Sequence, residues 1–561
     1  MLKIIECVPN FSEGRDLVVI EKIADTIRSI DGVKLLDVDP GKATNRTVMT
    51  MVGDPELVIE AAFQAIKKAS ELIDMRQHKG EHPRMGATDV CPLIPVSGIS
   101  MAETILYANR LAKRVGDELK IPVYLYEAAA SVPERSNLAT IRSGEYEGFE
   151  EKMKNPEWKP DFGPTVFNLQ NGATVIGARN FLIAYNVNLN TTSERRANSV
   201  AFDVREQGRV LRKDNKHNGE ILRDENGDPV RQTGTCKSVK GIGWFIPEYG
   251  IAQVSMNLTD IHVTPMHIAF EACVESAAKR GMRVTGSELI GLLPKQVLLD
   301  AGKFYLLRQD RSAGVSEKEL IHIAIKSMGL DELSAFDPQK KIIEYAISDS
   351  SKLLVDMSLT EFADETASES MAPGGGSISA YAAALGISLG TMVANLSAAK
   401  KGWEKKWMDF SDWATKGQQI KDELLRLVDA DTQAFNAIIE AIRMPKETES
   451  EKNARSTAME AANIHATEIP LKVMQIAASA YPLIDAMVKN GNPNSITDAA
   501  VGSLCLDAAI HGAFLNVKVN APSIQNKEKS DALMNEASEI LENSKSVKSA
   551  IWDYTQAKLQ S

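Results

Sequence analysis

The chain has 561 residues, 25% of them charged, and a formal net charge of −11. A single hydrophobic core stops growing at about 250–300 residues, so we expect several domains. The acidic balance argues against nucleic-acid binding, which uses a basic face. The five cysteines include no C-x-x-C pair. This predicts a reduced, cytoplasmic protein without a disulfide framework or a cysteine-based zinc site.

The first half alternates short β-rich runs with amphipathic helices, a pattern typical of α/β layers. The runs predicted as strands or helices are 34–38, 47–52, 56–75, 181–187 and 265–281. A break rich in Gly, Pro and Asn near residues 160–180 indicates two sub-domains. The turn pairs Asn218-Gly219 and Asn226-Gly227 predict a hairpin within residues 205–240.

After about residue 355 the β-rich runs nearly vanish and the spacing of apolar residues becomes helical. The predicted helices include 418–442, 450–465, 470–490 and 528–558. Residues 371–399 carry no charge and are long enough to cross about 30 Å of hydrocarbon. Their Ala, Gly and Ser content favours a buried helix that packs closely on its neighbours, so we predict no membrane association.

Residues 77–89 form a polar, glycine-punctuated stretch that leads into an apolar segment bounded by prolines. The stretch lacks apolar periodicity and contains His78 and His82, two of the eight histidines. Catalytic groups tend to lie on irregular polar loops beside buried strands, and the pKa of histidine lies nearest working pH. The alternative is a solvated loop without catalytic function, whose histidine makes ordinary hydrogen bonds. Three polar strand ends, at Asn10, Asp39 and Arg46, are expected to converge on it, although turn and capping duty explains each equally well.

Three consecutive glycines, Gly374 to Gly376, precede the uncharged helix. No Gly-Lys-Ser/Thr follows and no strand precedes, which argues against a nucleotide phosphate loop. Free N–H groups at a helix N-terminus still hold an anion or a carbonyl, and a tight inter-helix turn is the alternative. Asp431 lies within an amphipathic helix, where it is either solvated or a functional group with a perturbed pKa. No histidine pair has zinc spacing, so we predict no metal.

Five motifs of the first half resemble the glutamate formimidoyltransferase family, over about residues 1–325. The motifs are 7–14 (CVPNFSEG), 37–39 (DVD), 45–47 (NRT), 80–86 (GEHPRMG) and 177–186 (GARNFLIAYN). The resemblance implies transfer of a formimidoyl group from N-formimidoyl-glutamate to tetrahydrofolate. It also implies two α/β sub-domains, each with a ferredoxin-like sheet, whose interface holds the folate.

Within that resemblance His82 matches the catalytic histidine, and residues 163–172 match the folate-binding segment. A single imidazole near neutral pKa can take a proton from N5 of the folate and return one to the departing amine. His78 is its main rival, although Lys79 beside it makes it look like part of a basic rim. We expect Asp39 to hold the pyrimidine edge and the Arg residues to hold substrate carboxylates. The predicted substrate-binding residues are Asn10, Asp39, Asn45, Arg46, Arg84, Gly163, Pro164, Phe167 and Gly172.

The second half, from about residue 355, resembles the formimidoyltetrahydrofolate cyclodeaminase family, which is related to methenyltetrahydrofolate cyclohydrolases. The matching residues include 373–377 (PGGGS), 394–396 (ANL), Asp431, 492–494 (NPN), Asp498 and Asn516. The resemblance implies ring closure of formimidoyltetrahydrofolate with loss of ammonia. Asp431 is the predicted catalytic carboxylate and Asp429 the fallback. The predicted folate ligands are Gly375, Gly376, Ser377, Asn492, Asp498 and Asn516, and Lys400, Lys401 or Lys446 either meet a polyglutamate tail or are solvated charges.

The predicted architecture is two ferredoxin-like α/β sub-domains (1–180 and 181–327), a linker (328–354) and an all-α helical bundle (355–561). The expected partners are small molecules, with polyglutamylated tetrahydrofolate as co-substrate, and neither a metal nor a nucleic acid is expected. The small-residue helix also predicts a homo-oligomer built from dimers. Two alternatives stay open: formyl transfer combined with methenyltetrahydrofolate hydrolysis, which releases no ammonia, and a non-catalytic folate-binding protein.

Overall fold

The computed structural model describes residues 3–42, 45–80, 83–215, 219–347 and 353–560. The chain divides into two compact units, residues 1–298 with 325–348, and residues 299–324 with 349–561. The first unit contains mixed β-sheets with helices and the second is helical, as the sequence predicted for the two halves.

Residues 299–324 pack with the helical unit, although they were predicted to lie in the second α/β sub-domain (181–327). Close contacts within that unit explain the difference. The backbone N–H of Ala313 donates to Ser411 Oγ at 3.0 Å. A Cβ on Gly314 would overlap Ala414.

The strands all lie in the first unit. They are β1 (Ile4–Cys7), β2 (Asn10–Phe11), β3 (Val33–Gly41), β4 (Arg46–Gly53), β5 (Thr88–Ser97), β6 (Val123–Glu127), β7 (Thr174–Ala178), β8 (Ile183–Leu189), β9 (Arg209–Val210), β10 (Arg231–Gln232), β11 (Val239–Ile246), β12 (Ile251–Leu258) and β13 (Val284–Ile290), counted over the described ranges. The predicted strands at 34–38, 47–52 and 181–187 lie in or overlap β3, β4 and β8.

The α-helices extend through both units. Those up to residue 346 are α1 (Leu17–Arg28), α2 (Pro55–Leu72), α3 (Met101–Leu119), α4 (Leu138–Arg142), α5 (Glu145–Met153), α6 (Glu194–Val204), α7 (Met266–Ala278), α8 (Lys295–Leu307), α9 (Glu317–Met328), α10 (Pro338–Lys341) and α11 (Ile343–Ala346). The later helices are α12 (Leu359–Thr366), α13 (Gly375–Ala398), α14 (Trp407–Arg443), α15 (Glu449–Asn490), α16 (Ile496–Asn520) and α17 (Lys527–Gln560).

In the described part of the first unit, β1 to β7 form one sheet of seven strands. Its central strands run β5-β1-β4-β3, all antiparallel, and come from the chain order β1-α1-β3-β4-α2-β5. The strands β7 and β6 extend the sheet by parallel pairing on β5. The second sheet, β11-β12-β8-β13, is antiparallel and comes from β8-α6-β11-β12-α7-β13. The same strand-helix-strand-strand-helix-strand order therefore occurs twice.

Apolar spacing and capping explain why these elements form. In α1, Ile20, Ile23 and Ile27 recur at helical spacing and are buried against the sheet. The helix begins after Asp16, whose side chain accepts from Val18 N at 2.9 Å. In β1 the alternating residues Ile5 and Cys7 face the same core, as the period of a strand requires.

The predicted hairpin within residues 205–240 is present as the two-stranded sheet of β9 and β10. Its second turn closes through Asp224 N, which donates to Asp228 O at 2.9 Å. The first predicted turn pair contains Asn218, which lies outside the described residues.

The uncharged segment of the second half forms α13, which packs against α14, α15 and α16. Glycines allow this close packing: a Cβ on Gly386 would lie 2.8 Å from Gly502 O, and one on Gly502 would lie 2.6 Å from Gly386 O. In the described residues, α13 and the segment 493–523 are long and apolar enough to span a membrane. The apolar window of α13 is 61% buried, as expected of a core helix.

The separate helices predicted at 450–465 and 470–490 are one continuous helix, α15, so that prediction was wrong. A proline inside a helix removes one N–H and leaves the carbonyl four residues earlier without its partner. Here Pro470 frees the carbonyl of Ala466, and Asn520 Nδ2 donates to it at 2.8 Å. A side chain from α16 therefore replaces the missing bond and lets the helix continue.

Candidate functional site

The loop that carries His82 is anchored on its N-terminal side by Asn45. His82 itself, with Glu81, lies outside the described residues. Asn45 has a φ of 48°, a left-handed conformation that Asn tolerates well. Its Oδ1 accepts from Gly14 N at 3.0 Å and its Nδ2 donates to Lys79 O at 3.1 Å. Asn45 was predicted to bind substrate, and in the structure its side chain holds the start of this loop through hydrogen bonds.

His78 is held in one tautomer by two neighbours. Arg84 Nε donates to His78 Nδ1 at 3.2 Å, so the proton of the neutral ring is on Nε2, which donates to Asn45 O at 2.8 Å. Burial, and then the nearby Arg84 cation, lower the pKa of His78. Both ring nitrogens are engaged, which disfavours His78 as the proton carrier.

Arg84 anchors the other side of the loop and is only 7% exposed. Its Nη1 lies 2.9 Å from a Glu145 oxygen and its Nη2 lies 2.5 Å from Glu147. Its guanidinium is therefore occupied by two carboxylates and His78, whereas it was predicted to bind a substrate carboxylate. A shallow cleft of about 520 Å³ opens here, lined by Lys79, Gly80, Arg84, Gly144, Glu145 and Glu147.

The predicted folate-binding segment, residues 163–172, is hydrogen-bonded to the residues that follow the His82 loop. Gly86 and Gly172 form an antiparallel bridge, and Ala173 N donates to Met85 O at 3.1 Å. A Cβ on Gly172, whose φ is 67°, would overlap Met85 O. Within the segment, Gly163 and Pro164 are at least partly exposed, and the Phe167 ring lies 5.3 Å from Tyr146. The structure therefore brings this segment beside the chain next to His82.

The predicted ligands on the strands occupy different environments. Asp39 is exposed on β3, whereas Asn10 is buried and donates to Val8 O at 2.9 Å. Burial lowers the pKa of Arg46, and the nearby Asp89 opposes that effect. Asp89 is fully buried, accepts from Met85 N at 3.0 Å and is paired with Arg142. Sequence reasoning gave no role to this pair, although Asp89 ends the polar stretch 77–89.

A buried carboxyl group on β1 was also missed. Glu6 is 7% exposed, and burial raises its pKa to about 7, while Arg179 acts in the opposite direction. Burial also raises the pKa of Glu127, opposed first by Arg179 and then by Lys240 on β11. Glu6 lies in a short β-rich run, which carries no sequence signal for a titrating group.

In the second unit, Asp431 of α14 lies at the N-terminus of α13. Ser377 donates to Asp431 Oδ2 twice, from its backbone N at 2.9 Å and from Oγ at 3.1 Å. A Cβ on Gly376 would overlap the Asp431 carboxylate. One turn of α16 lies close by, because a Cβ on Gly375 would be 3.3 Å from Asn516 Nδ2. These four predicted residues therefore form one cluster with Asp431.

Asp429 points to a different neighbour. Its Oδ1 accepts from Leu354 N at 2.7 Å, and burial raises the pKa of its carboxyl group. Burial also raises the pKa of Asp431, opposed by the two hydrogen bonds from Ser377. Asp429 thus fixes the segment at Leu354, whereas Asp431 lies beside the glycine turn.

The remaining predicted folate ligands lie at the opposite end of α13. Asn492 N donates to Ser397 Oγ at 2.8 Å, next to the C-terminus of that helix, and Asp498 follows in the first turn of α16. A 24-residue helix is about 36 Å long, so this end is remote from Asp431. Within one chain, Asn492 and Asp498 therefore do not join the Asp431 cluster.

The lysines predicted to meet a polyglutamate tail also differ in position. Lys400 Nζ donates to Asn492 Oδ1 at 3.1 Å and lies 4.4 Å from the centre of the Trp403 ring. Lys401 and Lys446 are exposed. Trp403 stacks on Phe410, which lines a cleft of about 590 Å³. Over the described ranges, no group of three or more His, Cys, Asp or Glu side chains is arranged to hold a metal.

We predict that Gly172→Ala destabilises the first unit far more than Gly281→Ala. Both glycines have a φ near 70°, so both alanines carry the same backbone strain of about 1 kcal/mol. Only the alanine at 172 would also overlap Met85 O, because nothing lies within 4 Å of a Cβ at 281. Urea unfolding followed by circular dichroism measures the difference. Equal midpoints for the two variants would contradict the close crossing at Gly172.

Comparison with known proteins agrees with the motifs. The sequence-family models that match are the formiminotransferase domain, N-terminal subdomain, over residues 4–179, the formiminotransferase domain over 184–348, and formiminotransferase-cyclodeaminase over 358–539. The formimidoyltransferase-cyclodeaminase of Rattus norvegicus is 42% identical over 93% of both chains.

Two relatives match one half each. The glutamate formimidoyltransferase of Thermoplasma acidophilum is 44% identical over 54% of this chain and 93% of its own length. The methenyltetrahydrofolate cyclohydrolase of Methylorubrum extorquens is 30% identical over 35% of this chain and 95% of its own length. The resemblance inferred from the motifs is confirmed, and this chain belongs to the formimidoyltransferase-cyclodeaminase family.

Proposed function

We propose that this chain is a bifunctional enzyme that acts on tetrahydrofolate. The first activity transfers the formimidoyl group of N-formimidoyl-L-glutamate to tetrahydrofolate. The second cyclises 5-formimidoyltetrahydrofolate to 5,10-methenyltetrahydrofolate and releases ammonia. The observation that carries the proposal is the match to a formimidoyltransferase-cyclodeaminase over 93% of both chains.

For the transfer step we assign His82 as the acid and base. N5 of the folate attacks the amidine carbon, the imidazole takes the N5 proton, and the departing glutamate amine receives it. The engagement of both nitrogens of His78 supports His82 over its rival. The folate lies along the segment 163–172, which is bonded to the chain next to His82. The Arg84 guanidinium is occupied by carboxylates, and we keep the assignment of Arg46 to a substrate carboxylate.

The finer fold assignment belongs to the same proposal. Two ferredoxin-like sub-domains are supported by the repeated strand-helix-strand-strand-helix-strand order and by the antiparallel sheets β5-β1-β4-β3 and β11-β12-β8-β13. Glu127 and Lys240 interact across the two sub-domains, which supports an interface between them as the folate site.

For the second step we assign Asp431. N10 attacks the formimidoyl carbon, a five-membered ring closes, and the bond from that carbon to the amine nitrogen breaks. A half-buried carboxylate can take the N10 proton and return it to the departing ammonia. Both hydrogen bonds from Ser377 go to Oδ2, so Oδ1 is the oxygen that we assign to proton transfer.

A second candidate activity is favoured by the cyclohydrolase relative of the helical half. In that reading the second unit hydrolyses methenyltetrahydrofolate, and the first unit transfers a formyl group. The Asp431 cluster would serve either reaction, because both need proton transfer at the same folate nitrogens. Release of ammonia separates the two readings, since hydrolysis of methenyltetrahydrofolate yields none.

We predict that the purified chain, mixed with tetrahydrofolate and N-formimidoyl-glutamate, forms 5,10-methenyltetrahydrofolate and ammonia in equal amounts. His82→Ala should lower the first step, and Asp431→Asn the second, by about 10²–10⁴-fold, the usual range for a lost acid or base. Asp429→Asn is the matched control, because its amide oxygen still accepts from Leu354 N. Absorbance of the methenyl product and an ammonia assay measure both steps. Folate product without ammonia would favour the second candidate activity, and no product would favour a binding protein.

A homo-oligomer built from dimers is supported by an exposed apolar surface on the helical unit. The exposed apolar residues of α13 and α16 include Ile378, Leu385, Met392, Leu396, Leu515 and Val519. Such a surface commonly marks a protein interface. We also propose a cytoplasmic location, supported by the free cysteines. A polyglutamylated folate is supported by Lys400, whose Nζ lies 4.4 Å from the centre of the Trp403 ring.

We predict that the chain sediments as a dimer or larger assembly and that Leu385→Glu shifts it towards monomer. A buried charge at that position would disfavour the interface. Leu106→Glu is the matched control, since Leu106 is an exposed leucine of α3 outside the apolar surface. Sedimentation velocity measures the distribution. A wild-type chain that is sharply monomeric, or equal effects of both variants, would contradict the proposed interface.

A further inference from the structure

We propose that Ser377 is a positioning residue for the cyclodeaminase step, which fixes the Asp431 carboxylate in the orientation that proton transfer requires. The inference rests on the proposed function of the second unit. From its motif, Ser377 was predicted to bind the folate itself. Its side chain is 0% exposed, so it acts on the reaction through Asp431 and does not touch the substrate.

The start of α13 explains why Asp431 is held there. The first N–H groups of a helix have no partner inside the helix, and a side chain at the N-cap commonly accepts from one of them. The N-cap of α13 is Gly374, which has no side chain to do so. The Asp431 carboxylate from α14 takes this place by accepting from Ser377 N at 2.9 Å.

The hydroxyl group of Ser377 joins the two helices at the same point. Its single proton is shared between Val428 O at 2.9 Å and Asp431 Oδ2 at 3.1 Å, and Thr432 Oγ1 is 3.4 Å away. On the other side, Gly376 leaves space for the carboxylate, since a Cβ there would overlap it. Asp431 is thus confined between the Gly376 backbone and two donors of one serine.

The electrostatic balance at Asp431 depends on the same serine. Burial raises the pKa of Asp431, and the side-chain and backbone hydrogen bonds from Ser377 lower it. The partial positive charge of the α13 N-terminus also favours the carboxylate. On α14 the neighbouring Asp429 accepts a hydrogen bond from Leu354 N, and on α16 the neutral amide of Asn516 lies beside Gly375. Loss of the hydroxyl donor therefore moves the protonation of Asp431 towards higher pH.

The test is the pH profile of ammonia release by the full chain supplied with 5-formimidoyltetrahydrofolate. For Ser377→Ala we expect kcat to fall roughly tenfold and the acid limb to move up by about one pH unit, the effect of one lost hydrogen bond to a charged group. KM for the folate should change little, because Ser377 does not touch it. Ser377→Cys, a weaker donor of similar size, should give an intermediate displacement.

The matched control is Ser379→Ala on the same helix. Ser379 is also buried, and its Oγ donates to Gly375 O at 2.7 Å without contacting Asp431. The acid limb of the pH profile of Ser379→Ala should coincide with that of the wild-type chain. Equal effects of the two alanines, or reduced kcat without displacement of the limb in both Ser377 variants, would overturn the positioning role. A wild-type chain that releases no ammonia would instead refute the proposed function.

Discussion

Both candidate sites depend on a glycine that has no Cβ. At these positions the backbone comes into close contact with another backbone segment or with a carboxylate. In the first unit, Gly172 lies against Met85 O and ties the predicted folate segment to the chain beside His82. In the second, Gly376 lets Asp431 reach the N-terminus of α13. Glycine is the residue that permits such contacts, because any larger residue must displace backbone.

Among the residues that the structure describes, a titratable side chain in each site is held by hydrogen bonds and not by an ion pair with a residue of opposite charge. Burial and the nearby Arg84 cation lower the pKa of His78, whose ring nitrogens contact a guanidinium N–H on one side and a carbonyl on the other. Asp431 is held by a hydroxyl and a backbone N–H. Burial disfavours the charged form of both groups and the hydrogen bonds fix their orientation.

The regular parts of the fold were accessible from the sequence because local spacing determines them. The strands β3 and β4, the helix α2 and the all-helical second half follow from apolar periodicity. The continuity of α15 through Pro470 was not accessible, since the compensating bond comes from Asn520, fifty residues away in the chain. For the same reason the sequence could not show that residues 299–324 pack with the helical unit, because their contacts with α14 leave no local signal.

The site residues also fall into those that the sequence could predict and those that it could not. Motifs pointed to Asp431, Gly376 and Ser377, which the structure brings together. Spacing could not show that Arg84 is occupied by Glu145 and Glu147, or that Asn492 lies at the far end of α13, because both depend on tertiary partners. A buried carboxyl group such as Glu6 has no sequence signature, since only its surroundings raise its pKa.

The central claim is that the carboxylate held against Gly376 carries out the ammonia-releasing step. Ammonia release by Gly376→Ala, compared with Gly374→Ala, tests it most directly. A methyl group at 376 would displace Asp431, whereas nothing lies within 4 Å of a Cβ at 374. We predict a loss of at least about 100-fold for the first variant alone, with formimidoyl transfer retained in both. Equal ammonia release by the two variants would contradict the account.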